Sequence, residues 1–107
     1  MRFKINNILW NIVFVNPNDK NLYRSDGGKT VGVTDLTDKC IYLSYLVDNE
    51  FLRRVLAHEL CHAFCMSYGV SMKIEQEEFL ADWISLYGTE LVYLLDDLMP
   101  ILLNKSA

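Results

Sequence analysis

The apolar positions fall into strand-like runs in the first half of the chain and helix-like runs in the second. Ile8–Val15 (Ile-Leu-Trp-Asn-Ile-Val-Phe-Val) is rich in β-branched and aromatic types and ends in the turn-forming cluster Asn16-Pro17-Asn18-Asp19, which predicts a strand. Residues 19–29 are polar, contain Gly27-Gly28 and read as a loop with a short strand around Leu22-Tyr23. Two further strand-like runs, 30–34 and 39–44, are separated by Asp35-Leu36-Thr37-Asp38, which has the length and composition of a hairpin turn. A small antiparallel sheet of about three strands is the expected product.

From residue 48 the period changes. Asp48 or Asn49 is placed to cap a helix whose apolar positions (Phe51, Leu52, Val55, Leu56, Leu60 and onward) continue to Tyr68, with Gly69 as a left-handed stop. Beyond Arg53 and Arg54 its apolar side chains point in nearly every direction, so this helix is expected at the centre of the fold, with the sheet on one flank and the next helix on another. A second helix starts near Glu75, with Phe79, Leu80, Trp83, Ile84, Leu86 and Tyr87 as its apolar positions. Residues 89–98 are again periodic and are expected to stop at Pro100, leaving a frayed tail over 104–107. Whether Gly88 separates two helices or lies inside one is open, because a mid-helix glycine costs only about 1 kcal/mol. The fold class is α+β. Trp10, Trp83 and the phenylalanines are assigned to the core.

Composition narrows this picture. A chain of 107 residues, 51% hydrophobic and 22% charged, suits a single domain with one modest core. The formal net charge of -4, with no basic cluster larger than Arg53-Arg54, argues against a nucleic-acid partner. Cys40, Cys61 and Cys65 are an odd set without the density of a disulfide scaffold, which favours a reducing compartment. The basic start, residues 1–7, lacks the apolar run of a signal peptide, and residues 91–103 are interrupted by Asp96, Asp97 and Pro100, too short a run for a membrane span. A soluble cytoplasmic protein without membrane contact is expected. The apolar stretch 91–103 either covers the domain's own core or seats a second copy, so the oligomeric state stays open.

The chemistry concentrates in His58-Glu59-Leu60-Cys61-His62, which uses both histidines of the chain. Residues i and i+4 share a helical face, so two imidazoles can meet one metal ion with Glu59 beside it, the His-Glu-x-x-His arrangement of zinc peptidases. The plainer alternative is a pair of hydrogen-bonded histidines on a core helix. A catalytic zinc site needs a third protein ligand. The candidates are the carboxylates of Glu75, Glu77, Glu78 and Asp82, and the thiolate of Cys65. Glu78 and Asp82 share one face of the second helix with Ser85 and Thr89, although Glu75, Glu77 and Glu78 also read as an ordinary acidic first turn. Three ligands from one helix would strain a tetrahedral site, so Cys65, like Cys61 and Cys40, is assigned to packing.

His58-Glu59-Leu60-Cys61-His62 followed by Glu78-Phe79-Leu80-Ala81-Asp82 resembles the gluzincin pattern, and more narrowly the small bacterial and phage ImmA/IrrE metallopeptidases, over about residues 30–99. The resemblance implies a minimal gluzincin-like fold and a zinc cofactor held by His58, His62 and Glu78. It makes Glu59 the general base and Asp82 the outer-shell acceptor for a ligating imidazole N–H. The implied activity is a metallo-endopeptidase of narrow, regulatory specificity, acting on a protein or peptide substrate, with a regulator protein as one such partner. An exposed edge within residues 30–44 would pair with an extended substrate, the edge strand being unassigned. No third histidine is present for the oxyanion, which leaves Tyr23, Tyr42, Tyr45, Tyr68, Tyr87, Tyr93 or the metal itself. The competing expectation is a catalytically weak or inactive zinc-stabilised interaction module.

Overall fold

The computed structural model describes residues 1–24 and 26–104. Four strands form one mixed sheet in the order β1-β2-β4-β3: β1 (Arg2–Ile5), β2 (Ile8–Val15), β3 (Gly32–Asp35) and β4 (Cys40–Ser44). The helices are α1 (Asn49–Ser67), α2 (Ile74–Trp83) and α3 (Thr89–Leu103), the last two joined without a break by a π-helical segment, Ile84–Gly88.

This corrects the expected three-stranded antiparallel sheet in two ways. The basic start is itself a strand, because Asn6 and Asn7 take positive φ angles of 50° and 64° and close a two-residue hairpin pairing Ile5 with Ile8. Asparagine tolerates that conformation better than most residues. Second, β2 pairs with β4 in parallel, Ile12 opposite Ile41 and Phe14 opposite Leu43. The hairpin β3–β4 docks through β4 because Ile41 and Leu43 are buried with Cys40 and Ser44, the signature of a central strand, whereas Gly-Val-Thr-Asp in β3 suits an edge. Around Leu22-Tyr23 the chain forms a 3-10 turn, Lys20–Leu22, followed by an isolated bridge from Tyr23 to Lys29, rather than a strand.

Helix α1 lies where its apolar pattern predicts. One side closes a core of Ile5, Trp10, Ile41, Leu43, Val47 and Ala63 against the sheet, and the other meets α2 through Cys61, Cys65 and Ala81. Asp48 occupies the N-cap position, but its side chain makes no capping bond. Gly69, at φ 64°, closes the helix: Val70 N–H donates to Cys65 O and Gly69 N–H to Met66 O. Trp10 Nε1–H donates to Ser67 Oγ at 2.8 Å and Asn6 Nδ2–H to Ser67 O at 3.0 Å, which ties the first hairpin to the end of α1.

Three further expectations change. Pro100 does not stop the last helix, which continues to Leu103. In the exposed last turns, proline removes one hydrogen bond whose acceptor water can satisfy. Gly88 lies inside a continuous helix. Trp83 and Phe14, Phe51, Phe64 and Phe79 are exposed, leaving Trp10 buried and Phe3 half-buried, because the core fills only the two layers on either side of α1. Of the expected tail, Asn104 closes α3 and residues 105–107 lie outside the described residues.

Candidate metal centre

His58 and His62 leave α1 one turn apart, toward the first turns of α2. Their Nε2 atoms lie 3.3 Å from each other. Glu78 sits between them, Oε1 at 2.7 Å from His62 Nε2 and Oε2 at 3.3 Å from His58 Nε2. One ligand atom from each of the three residues falls within a 4.8 Å group, a set able to hold a metal ion.

The other ring nitrogens decide how these atoms present themselves. His58 Nδ1 is 2.9 Å from Asp82 Oδ1, and His62 Nδ1 is 2.8 Å from Glu77 Oε2. Carboxylates accept, and in the tautomer where each Nδ1 donates to its own acid each Nε2 offers a lone pair. Two lone pairs and a carboxylate then converge with no donor among them, an arrangement that a metal cation satisfies, as does a proton shared between Nε2 and Glu78. Corners of a tetrahedron with metal bonds of about 2.1 Å are about 3.4 Å apart. The two 3.3 Å separations match that spacing, and the 2.7 Å one is somewhat tighter. The donor set therefore fits a divalent metal.

Asp82 lies beside the His58 Nδ1 atom and outside the group of three converging atoms. Glu77 holds the second imidazole in the same way, a role that sequence reasoning left among the candidate ligands. Glu77 is the less accessible of the two acids, with 17% of its side chain exposed against 69% for Asp82. Its amide variant, Glu77→Gln, is expected to weaken metal affinity 10–100-fold, the usual cost of losing such a partner, and more than Asp82→Asn does. Competitive titration with a metal indicator dye measures both; equal affinities for all three proteins would remove the orienting role.

Glu59 points from α1 to the sheet side. It is only 8% exposed, and its Oε1 lies 2.8 Å from Thr34 Oγ1 on β3, which is also 3.0 Å from the Glu59 main-chain oxygen. Gly32 makes this approach feasible: a Cβ there would lie 2.7 Å from Val55 Cγ1 and 3.2 Å from Glu59 Cγ. Valine cannot swing that methyl away freely. Gly32→Ala is expected to lose about 1–3 kcal/mol of stability in denaturant unfolding by forcing β3 off α1. Neither Thr34 nor Gly32 was marked by sequence reasoning, because the contact joins residues 25 positions apart and leaves no local signal.

A cavity of about 230 Å³ opens beside His58, Glu59 and Asp82, bounded by residues 30–32 and by Arg54. None of the six tyrosines lines it, whereas Arg54 does. Burial first, and a hydrogen bond with Cys40 second, push the Tyr42 hydroxyl up to about 12. The Cys65 sulfur is not part of the metal-binding group. Burial, followed by its hydrogen bond with Glu77, raises its thiol to about 12, so it stays neutral and packs with Cys61. Cys40, Cys61 and Cys65 are all buried and unpaired. Among the described residues no helix is long and apolar enough to cross a membrane. Comparison of the chain with protein-family models, with curated proteins and with solved structures gives no match.

Proposed function

We propose that this chain is a zinc-dependent endopeptidase of the gluzincin type, with His58, His62 and Glu78 as zinc ligands and Glu59 as general base. The observation that carries the reading is the convergence of two Nε2 atoms and one carboxylate, each imidazole backed by its own acid, with Glu59 on the adjoining face. Two imidazoles and a carboxylate are a donor set that suits zinc and recurs in catalytic sites. When bound, the metal supplies Lewis acidity toward a peptide carbonyl and acidifies a water at its open position.

The remaining work belongs to the chain. Glu59 accepts the proton of the attacking water and passes it to the leaving amine. Thr34 holds its carboxylate through Oε1, which leaves Oε2 for the transfer. Asp82 and Glu77 keep both imidazoles in one tautomer. Arg54, the cationic side chain bordering the cavity, offers its charge to the oxyanion where no tyrosine is present. Ser44 N–H donates to Val31 O, so the alternation of an antiparallel pair turns the main-chain groups of Gly32 and Thr34 outward, away from β4. β3 is the free edge beside the cavity, and an extended peptide adds to it as a further strand.

The test is a metal analysis of the purified chain together with cleavage of unstructured proteins. One zinc per chain and chelator-sensitive cleavage are expected. A chain that retains stoichiometric zinc and cleaves neither these proteins nor any regulator it binds is the interaction module instead.

A further inference from the structure

Helix α3 contains no buried residue, although most of its side chains are apolar. It projects from the body of the protein, which is 59 Å long and 30 by 27 Å across. Its radius of gyration is 16.3 Å, against about 13 Å for a compact chain of this size. At 100° per residue the apolar side chains of α3 form one continuous arc of roughly 200°, with Leu91, Leu95, Leu98 and Leu102 at its centre. The opposite arc carries Thr89, Glu90, Tyr93, Asp96 and Asp97.

Along its length the polar arc borders the groove toward α1; of the apolar arc, Leu94 borders that groove as well, and Leu91 and Val92 at the root border a second groove with Ala57. Arg53 Nη2–H donates to Thr89 Oγ1 at 2.7 Å, and Tyr93 and Asp97 border the groove that follows between α1 and α3. The apolar arc cannot close on α1 without breaking that contact and rotating the helix, so what covers it comes from outside.

We propose that the occupant is a second copy of this chain, the two α3 helices pairing antiparallel about a twofold axis. About ten apolar side chains of α3, each roughly half exposed, offer on the order of 1,000 Å² per copy. Burying most of that on both copies reaches the approximately 1,600 Å² of a standard stable interface. A twofold axis brings identical apolar arcs together and leaves both acidic arcs in water. The same acidic arc, on a protein of net charge -4, disfavours an anionic lipid surface. A complementary seat exists at the root of the helix, an apolar groove of about 500 Å³ bordered by Ala57, Trp83, Ile84, Leu91 and Val92. From Gly88 to Leu102 the helix rises about 21 Å, so in an antiparallel pair the terminal turn of each copy reaches the groove of the other.

Sedimentation equilibrium and size-exclusion chromatography with light scattering test this on the full chain. The expected species has twice the 12.4 kDa chain mass. The double substitution Leu95→Glu/Leu98→Glu replaces two exposed residues, and should weaken association by at least about a thousandfold while leaving the circular dichroism of the domain and its metal content unchanged. Asp97→Lys, on the polar arc, should leave the dimer intact. A chain that is monomeric at all accessible concentrations, a dimer that survives the double substitution or is lost on Asp97→Lys, or a monomer that instead binds phosphatidylcholine vesicles through α3 overturns the proposal. Its outcome is independent of the peptidase reading, since no residue of α3 lies among the metal-binding group.

Discussion

Glu59→Gln is expected to lower peptide hydrolysis by about 10²–10⁴-fold, the range associated with a positioned general base, without loss of zinc. Glutamine keeps the volume of the buried side chain, and its amide oxygen can still accept the Thr34 hydroxyl that now sits 2.8 Å from Oε1. What it cannot do is take a proton from water. Because Glu59 is not among the three converging ligand atoms, metal content should remain that of the unmutated chain. Initial rates on an unstructured protein, measured beside zinc analysis of both forms, decide the matter. Equal rates would remove Glu59 from the chemistry. A partner held by the Glu59→Gln form and destroyed by the unmutated one would identify a substrate, whereas a partner held equally by both supports a binding module.

Removing the metal is expected to lower the melting temperature by about 10–20 °C. At a free zinc concentration 100 times Kd, binding adds about 2.7 kcal/mol to the folded state, and each kcal/mol moves Tm by about 4–8 °C in a domain of this size. The geometry gives this cost a local cause: with Nδ1 protonated on both rings and no cation present, two imidazole lone pairs and the Glu78 carboxylate would face one another across 2.7–3.3 Å. Differential scanning calorimetry with and without a chelator measures the shift. His62→Ala should abolish the response to chelator, since two of the three donors do not hold zinc tightly. A melting temperature indifferent to chelation would indicate that the histidines are occupied by protons and carboxylates alone. The zinc-dependent part of the stability should also decline on acidification, because the ligands bind the metal as neutral imidazole and ionised carboxylate.

Much of the site was legible in the chain because helices carry their own geometry. The separation of His58 and His62 by four residues sets them on one face whatever surrounds them, and the same spacing sets Glu78 and Asp82 together on the next helix. Glu77 was not legible as a partner of His62. Its role depends on the rotation of α2 about its axis against α1, which is set by Cys61, Cys65 and Ala81 packing together. Thr34 and Gly32 were likewise invisible, since nothing local in Gly-Val-Thr-Asp reports a glutamate 25 residues downstream.

The sheet marks the same boundary. The individual runs 30–34, 39–44 and Ile8–Val15 were recognisable from composition, yet the parallel pairing of β2 with β4 was not. Strand order is chosen by burial between distant segments. The clue lay in the near-continuous burial of β4 against the polar character of β3, and it becomes decisive only once α1 is seen to cover one face. A similar limit applies to residues 91–103, whose apolar periodicity reads equally as core or as interface until the fold shows which arc faces home.

By itself, then, the sequence determined the elements and the chemistry each one carries: a helix bearing two imidazoles and a carboxylate, a second bearing acids at matching spacing, and strand-forming runs before them. These are short-range properties, fixed by helical and strand periods and by turn residues. Only the tertiary structure decided that Glu78 stands between the two Nε2 atoms, that Asp82 and Glu77 each take one Nδ1, that β3 is the free edge, and that the apolar arc of α3 points outward. Those are relations between surfaces far apart in the chain, set by which apolar faces close on one another.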